Sequence, residues 1–196
     1  MVGRSPSWLG QGNELTMALS PPGRPPRSWL DGVGYAACAW ALIFSAQSFY
    51  HAAGGTAGAE TIGPAIAEPV LAREPLWVAA MWITGGLKVA AALLALALVR
   101  PWGRLLPRRL LLMAGWGAVA VMAVYEGAAS LVQHALMVAG VIDIPAGLGA
   151  TAARWHLALW DPWWLLGGIL FGLATWRYQR RDQDGSAPVP PGPHSE

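Results

Sequence analysis

Eight polar side chains lie within or beside long apolar stretches of this sequence, and they are its candidates for chemistry or binding. Three are histidines, His51, His134 and His156, and the carboxylate Glu126 accompanies them. Imidazoles and carboxylates bind divalent metals, and histidine also binds haem iron. No HExxH motif or Cys-His spacing is present, so histidines with a solvated tip at helix ends are the alternative interpretation. The full candidate cluster is Gln47, His51, Lys88, Glu126, Ser130, His134, Arg154 and His156.

Lys88 and Glu126 are the two charged residues inside apolar windows. Each charge would cost roughly 2.5–3.5 kcal/mol at the centre of a bilayer, so such residues usually face the interior of a helix bundle and pair. The sequence therefore predicts a Lys88–Glu126 ion pair that fixes helix packing. Two alternatives stay open: a proton-coupled or ligand-binding site, and a contact of Lys88 with Gln47 or a backbone carbonyl.

Helical spacing predicts that the polar side chains share faces. Steps of four, three and four residues place these side chains on one face of a first helix: Trp40, Phe44, Gln47 and His51. Positions i, i+4, i+7 and i+8 place these on one face of another: Glu126, Ser130, Gln133 and His134. Unsatisfied polar groups are costly in hydrocarbon. We therefore expect five of them to converge between helices: Gln47, His51, Glu126, Ser130 and His134.

The candidate residues lie in or beside four long apolar stretches, which are predicted to form helices. Apolar residues make up 55% of the 196 residues and charged residues 12%, about half the charged share of soluble domains. A soluble protein of this size could not bury four such helices in one core, so a bilayer is the expected solvent. We predict an all-α, four-helix transmembrane bundle over residues 29–180, with helices at about 32–53, 76–99, 110–133 and 161–178.

Glycines and prolines set the predicted helix boundaries. Gly54-Gly55 ends the first helix, and Pro75 suits the first position of the second. Asp161-Pro162 reads as a side-chain cap followed by proline, which places the start of the fourth helix there. Residues 148–160 are predicted to form a short interfacial helix. A small-xxx-small surface at Gly168 and Gly172 suits close helix packing.

Positive charge predicts the orientation. Nine arginines flank the apolar windows in the N-terminal tail, the 100–109 turn and the C-terminal tail, against Arg73 and Arg154 in the other two loops. The positive-inside rule places the arginine-rich side in the cytoplasm, so both termini are expected there and the protein in a bacterial inner membrane. The histidines then lie near the outer face. Residues 1–28 and 181–196 are predicted to be disordered cytoplasmic tails.

The remaining composition narrows the function classes. Cys38 is the only cysteine, so neither an intrachain disulfide nor a thiolate metal cluster can form. The arginines form no single basic face or stripe, so nucleic acid is not an expected partner. Many of the 12 tryptophans lie at window ends, as in an interfacial belt. Four of them either anchor the fourth helix or line a site for a hydrophobic ligand: Trp155, Trp160, Trp163 and Trp164.

Two motifs carry a resemblance: FYHAAGGT at Phe49–Thr56 and WDPWWLLGGILF at Trp160–Phe171. They resemble a bacterial family of small four-helix integral membrane proteins, the domain of unknown function 3995. The resemblance covers roughly residues 33–180 and implies the same membrane architecture. The first motif of that family reads Phe-Tyr-Trp-Ala-x-Gly-Gly, so His51 stands where a tryptophan is expected. No catalytic residue follows from the resemblance, because the family has no assigned activity.

From these observations we predict a polytopic membrane protein that is not an enzyme, either a small transporter or a partner subunit, with a polar cluster near the outer face. No cofactor is expected under this hypothesis. The alternative is a membrane-embedded redox protein or enzyme that binds haem or a divalent metal through His51, His134 and His156. The expected partners are the lipid bilayer and another membrane chain, including a second copy of this one.

Overall fold

The computed structural model describes residues 29–184, and every regular element in that range is helical. The all-α prediction is therefore confirmed. The helices are α1 (Trp29–Ala52), α2 (Pro64–Leu71), α3 (Pro75–Ala97), α4 (Arg108–Val138) and α5, which runs without a break through Gly149–Trp155, His156–Trp160 and Asp161–Asp184. Short 3₁₀ turns occupy Ala59–Thr61 and Pro101–Leu105. Of the predicted tails at 1–28 and 181–196, residues 1–28 and 185–196 lie outside the described residues.

The start of the fourth helix was predicted wrongly. The helix runs continuously from Gly149, not from Asp161, so the predicted interfacial helix at 148–160 is the first part of the same helix. The helix passes through Pro162 by way of a π-helical segment at His156–Trp160. Proline has no N–H and clashes with the carbonyl four residues earlier, and the wider π turn accommodates that clash. The helix also continues to Asp184, beyond the predicted end near residue 178.

The third helix is longer than predicted and is not a regular α-helix throughout. It ends at Val138 instead of near residue 133. Its middle, Ala120–Ala129, is π-helical. A π-helix has more residues per turn than an α-helix. The positions that share a face beyond this segment are therefore not those that α-helical spacing predicts.

Within the described residues, three helices are long and apolar enough to cross a membrane: Pro75–Ala97, Arg108–Val138 and Gly149–Arg181. α1 has 24 residues but is not among them. Its second half carries the polar residues Ser45, Gln47, Ser48 and His51. The predicted count of four spans is therefore not confirmed, and three is the number that length and composition support.

α1 lies between α3 and α5 and supplies most of the core. Trp40 and Phe44 of α1 pack with Phe171 of α5 and with the alanines Ala92 and Ala95 of α3, all of them buried. α4 packs along α5, whereas α3 and α4 meet mainly through the first half of α4, next to their connecting turn. The order around the bundle is therefore α3, α1, α5, α4.

Small residues set the distance between α4 and α5. A Cβ placed on Gly168 would lie 2.6 Å from the backbone N of Ala123, so only glycine permits this separation. Gly172, one turn further along, is less crowded, since its Cβ would lie 3.6 Å from a methyl group of Val119. The predicted small-residue packing is confirmed at Gly168.

The loops α1–α3 and α4–α5 lie together at one end of the bundle, which we call the loop end. The amide of Ala65 donates a hydrogen bond to the carbonyl of Gly147 across them, 2.9 Å long. At the opposite end, four arginines line a shared cavity: Arg100, Arg104, Arg108 and Arg181. The ends thus differ in charge as the arginine count indicates, and the orientation relative to the cytoplasm stays a prediction.

Candidate functional site

His134 of α4 and His156 and Asp161 of α5 form a side-chain cluster near the loop end, here called the His–Asp cluster. The Nδ1 of His134 lies 2.8 Å from Oδ2 of Asp161, and the Nδ1 of His156 lies 3.8 Å from Oδ1. The two imidazole centroids are 4.7 Å apart. Asp161 is 1% exposed and His134 9% exposed, so the pair they form is shielded from solvent.

The π segment of α5 brings His156 and Asp161 together. The N–H of Asp161 donates to the carbonyl of His156, five residues earlier, which is the hydrogen bond of a π turn. In an α-helix, residues five apart point in different directions, because i+3 and i+4 are the neighbours of i. The π turn instead places both side chains toward α4.

Asp161 is the site residue that the sequence reasoning missed. It was interpreted as an N-cap because proline follows it, yet it lies inside α5 with helical angles of φ −66° and ψ −46°. Its carboxylate pairs with His134 and caps no helix end. A signal was present in the sequence: an acidic residue five positions after a histidine, in a run otherwise rich in tryptophan and leucine.

A cavity of about 210 Å³ lies between α1, α3 and α5 near the loop end. Its walls are mainly apolar and aromatic, and Ile62, which precedes α2, and Ile66 of α2 contribute to them. The polar side chains that line it are Gln47, Ser48, His51, Thr84, Lys88 and His156. His156 therefore borders both the cavity and the His–Asp cluster. Gln47, His51, Lys88 and His156 are the members of the predicted cluster that this cavity brings together.

Lys88 contacts α1, and its predicted ion pair with Glu126 is wrong. Its Nζ donates to the hydroxyl of Ser48 at 2.8 Å and lies 3.5 Å from the carbonyl oxygen of Phe44. The same Nζ stands 3.3 Å from the centroid of the Phe44 ring. No ion pair joins Lys88 to any carboxylate within residues 32–181, because α1 separates α3 from the Glu126 region of α4. The backbone-carbonyl alternative describes the contact better.

His51 is buried at the end of α1, where the FYHAAGGT motif forms the helix terminus. Its Nδ1 lies 3.0 Å from the carbonyl oxygen of Gly55 and donates the hydrogen bond, since a carbonyl oxygen can only accept. Arg73 donates to the carbonyl of Ala52 at 2.8 Å, a cation at the C-terminal end of a helix. The hydroxyl of Tyr50 accepts a hydrogen bond from the amide of Ala57.

The five polar residues expected to converge divide into separate groups. Gln47 and His51 reach the cavity, and His134 belongs to the His–Asp cluster. Glu126 is half-buried and interacts electrostatically with Asp161 and His134. The hydroxyl of Ser130 instead donates to the carbonyl of Tyr125 in its own helix, at 3.2 Å. Of the remaining candidates, Arg154 is exposed and lines neither site.

Two of the four tryptophans near the loop end line the cavity, Trp160 and Trp164. The indole Nε1 of Trp160 is buried and has no hydrogen-bond partner among the described residues. Trp163 accepts a hydrogen bond on its backbone oxygen from the Trp40 indole, at 3.1 Å, and stacks on that ring. Trp155 is exposed, as an interfacial residue would be.

The comparisons with known proteins give one match. The family model described as "Protein of unknown function (DUF3995)" matches residues 41–171, and this is the family that the two motifs resemble. That range contains the whole cavity lining and the His–Asp cluster. No curated protein and no solved structure matches the chain.

Proposed function

The chain belongs to the DUF3995 family, whose function is unknown, and we propose that it is a four-helix integral membrane protein that binds a small amphipathic anion between α1, α3 and α5. The observation that carries this proposal is the ammonium group of Lys88 in the wall of a mainly apolar cavity, where its described partners are all neutral. Binding and transport of such an anion need no covalent chemistry, so we propose a transporter and not an enzyme.

The proposed fourth span is α1. Its 24 residues exceed the roughly 20 that cross about 30 Å of hydrocarbon. Its polar residues Ser45, Ser48 and His51 are buried against other helices, while Leu42 and Ile43 on another face are exposed. The side of α1 that would meet lipid is thus apolar. The windows of α3 and α4 are each only 17% buried, as expected for helices surrounded by lipid.

The charge of Lys88 is the reason to expect an anionic ligand. A lysine in hydrocarbon costs roughly 2.5–3.5 kcal/mol or more unless it is paired. The Ser48 hydroxyl and the Phe44 ring stabilise the ammonium, but neither neutralises its charge. A bound carboxylate or similar anion would neutralise it. Trp160, which also lines the cavity, offers an indole N–H that has no partner among the described residues and suits an anion as a second donor.

The cavity limits the size and shape of the ligand. Its volume of about 210 Å³ is below the roughly 300–1,000 Å³ of pockets for drug-sized ligands. The apolar walls suit a hydrocarbon or aromatic body beside the anionic group. Ile66 is both a lining residue and exposed, so the cavity reaches the surface at the loop end.

The depth of Lys88 favours a transporter over a surface receptor. Lys88 is 13 residues from the start of α3, which corresponds to roughly 20 Å along the helix. An anion entering from the loop end would therefore reach the interior of the membrane before meeting the ammonium. The alternative role as a partner subunit does not explain a cation at that depth.

Calorimetry on the purified full-length protein in lipid nanodiscs tests the proposal. Benzoate and its neutral isostere benzamide are suitable probes, because they differ mainly in charge. Benzoate is expected to bind and benzamide to bind much more weakly. A hydrogen bond to a charged group contributes about 1.5–3 kcal/mol, so Lys88→Met should weaken benzoate roughly 10- to 150-fold. Lys88→Arg retains the charge and should retain part of the affinity.

The matched control is Arg104→Met, which removes one positive charge at the opposite end of the bundle and leaves the cavity unchanged. It should bind benzoate like the unmodified protein. Equal affinity for benzoate and benzamide, or equal loss in Lys88→Met and Arg104→Met, would show that the cavity does not select anions through Lys88. Far-UV circular dichroism and gel filtration establish that each variant is folded.

A further inference from the structure

We propose that the His–Asp cluster is a binding site for a divalent transition-metal ion, with His134, His156 and Asp161 as its protein ligands. This site is distinct from the Lys88 cavity and does not depend on the proposed anion function. Its three residues come from α4 and α5, and His156 alone also borders the cavity.

The donor atoms are close to the spacing that a metal requires. One nitrogen or oxygen from each residue lies within 4.8 Å of the other two. Metal bonds of about 2.0–2.2 Å in tetrahedral geometry hold ligand atoms roughly 3.3 Å apart. The His134–Asp161 distance of 2.8 Å and the His156–Asp161 distance of 3.8 Å fall on either side of that value. Small side-chain rotations would therefore complete the site.

The balance of charge also indicates a cation. Asp161 is almost completely buried, and Glu126 is close enough to interact with it electrostatically. Two carboxylates in a region of low dielectric repel each other and need compensating positive charge. A divalent ion bound by neutral imidazoles would offset both of them. Glu126 would then act beside the site and balance its charge.

Each of the two helices that contribute to the cluster contains a π-helical segment. One is Ala120–Ala129 of α4, which contains Glu126 and ends one turn before His134. The other is His156–Trp160 of α5, whose hydrogen bond brings His156 and Asp161 to one side. π segments are rare and occur frequently at functional sites, because they re-aim side chains within a helix. Their presence in both contributing helices is independent of the donor distances.

The donor set favours one class of metal. Two imidazoles and one carboxylate suit zinc, iron, cobalt or manganese, whereas calcium and magnesium prefer oxygen ligands throughout. His51, which the sequence offered as a ligand, is not in the set: its Nδ1 donates to the carbonyl of Gly55, and it lines the cavity instead. Three protein ligands leave a coordination position for water or another small molecule.

The test measures metal binding by the full-length protein, purified without a histidine tag and stripped with a chelator. Zinc titration by calorimetry gives affinity and stoichiometry, and the visible spectrum of added cobalt reports its coordination. The unmodified protein should bind zinc stoichiometrically. Loss of an outer-shell partner typically lowers metal affinity about 10- to 100-fold, and loss of a direct ligand should cost at least as much. Asp161→Asn and His156→Gln should therefore each weaken zinc binding by at least that factor. His51→Gln, a matched histidine control outside the set, should bind zinc unchanged.

The opposite result identifies the cluster as a His134–Asp161 hydrogen-bonded pair without metal. It would consist of no zinc binding, or of equal affinity in His156→Gln and the unmodified protein. If Asp161→Asn fails to fold, His156→Gln decides, because the His156 side chain is only partly buried and its Nδ1 lies 3.8 Å from the Asp161 carboxylate. Lys88→Met should lose benzoate binding but keep zinc binding, so failure of one proposal is distinguishable from failure of the other.

Discussion

Replacing Gly168 by alanine should force α4 and α5 apart at the level of Ala123. The new Cβ would lie 2.6 Å from the backbone N of Ala123 and 2.7 Å from its Cα. The Cβ of Ala123, which no rotation can move, would be nearer still at 2.4 Å; ordinary van der Waals contact begins at 3.4 Å, so a displacement of roughly 1.0 Å is needed. Because the opposing atoms belong to the backbone or are bonded directly to it, no side-chain rotation can provide it.

The expected destabilisation follows from this overlap. Overpacking a well-packed interface costs typically about 1–3 kcal/mol. Alanine also has a better helix propensity than glycine by about 1 kcal/mol. That gain is the same at any interior position of the helix. It therefore cancels when Gly168→Ala is compared with the same substitution at a second glycine of α5. The matched control is Gly172→Ala, where the Cβ would lie 3.6 Å from Val119.

The assay is equilibrium unfolding of both variants in mixed detergent micelles, followed by tryptophan fluorescence. Gly168→Ala should be less stable than Gly172→Ala by about 1–3 kcal/mol. Zinc affinity of the His–Asp cluster should fall in the first variant only, because α4 and α5 carry its ligands. If both variants were equally stable, close α4–α5 contact at Gly168 would not hold the bundle together.

Two further predictions concern topology and charge coupling. Reporter fusions after Gly58 and Ala146, at the loop end, should appear outside the cell. Fusions after Gly103 and Arg181 should appear inside. A cytoplasmic reporter at Gly58 would invert the orientation that the arginine count favours. Because α1 separates them, Lys88→Met and Glu126→Gln should have additive effects on folding free energy, within about 0.5 kcal/mol. A double variant markedly more stable than the sum of the two single effects would indicate that Lys88 pairs with Glu126 and not with Ser48.

The sequence predicted the regular parts of the fold well because apolar windows and proline positions act locally. Pro75 opens α3 as expected, and Gly54, with φ of 106°, follows the end of α1 in a conformation that favours glycine. The predicted start of α5 was wrong because Asp161-Pro162 also satisfies the local rules for the beginning of a helix. Proline is expected at a helix start because it clashes with the carbonyl four residues earlier in a regular α-helix. A π turn relieves that clash, so the helix continues through Pro162.

The candidate site was predicted in part. Gln47, His51, Lys88 and His156 were all chosen from residue type and position, and they line one cavity. Their neighbours were not predictable, since periodicity gives the face of one helix and says nothing about which helix it meets. Lys88 was assigned to Glu126 on the assumption that consecutive helices pack side by side, and the central position of α1 made that assumption fail.

The sequence by itself determined the helical class, the apolar segments, the family and the uneven distribution of arginine between the two ends. These depend on composition and on spacing within single segments. The tertiary structure decided the partners: Ser48 and Phe44 for Lys88, and Asp161 for His134. It also decided which residues of α4 and α5 share a helix face, because each helix contains a π-helical segment that shifts the spacing. Interhelical contacts are set by how four surfaces fit together, and no single segment carries that information.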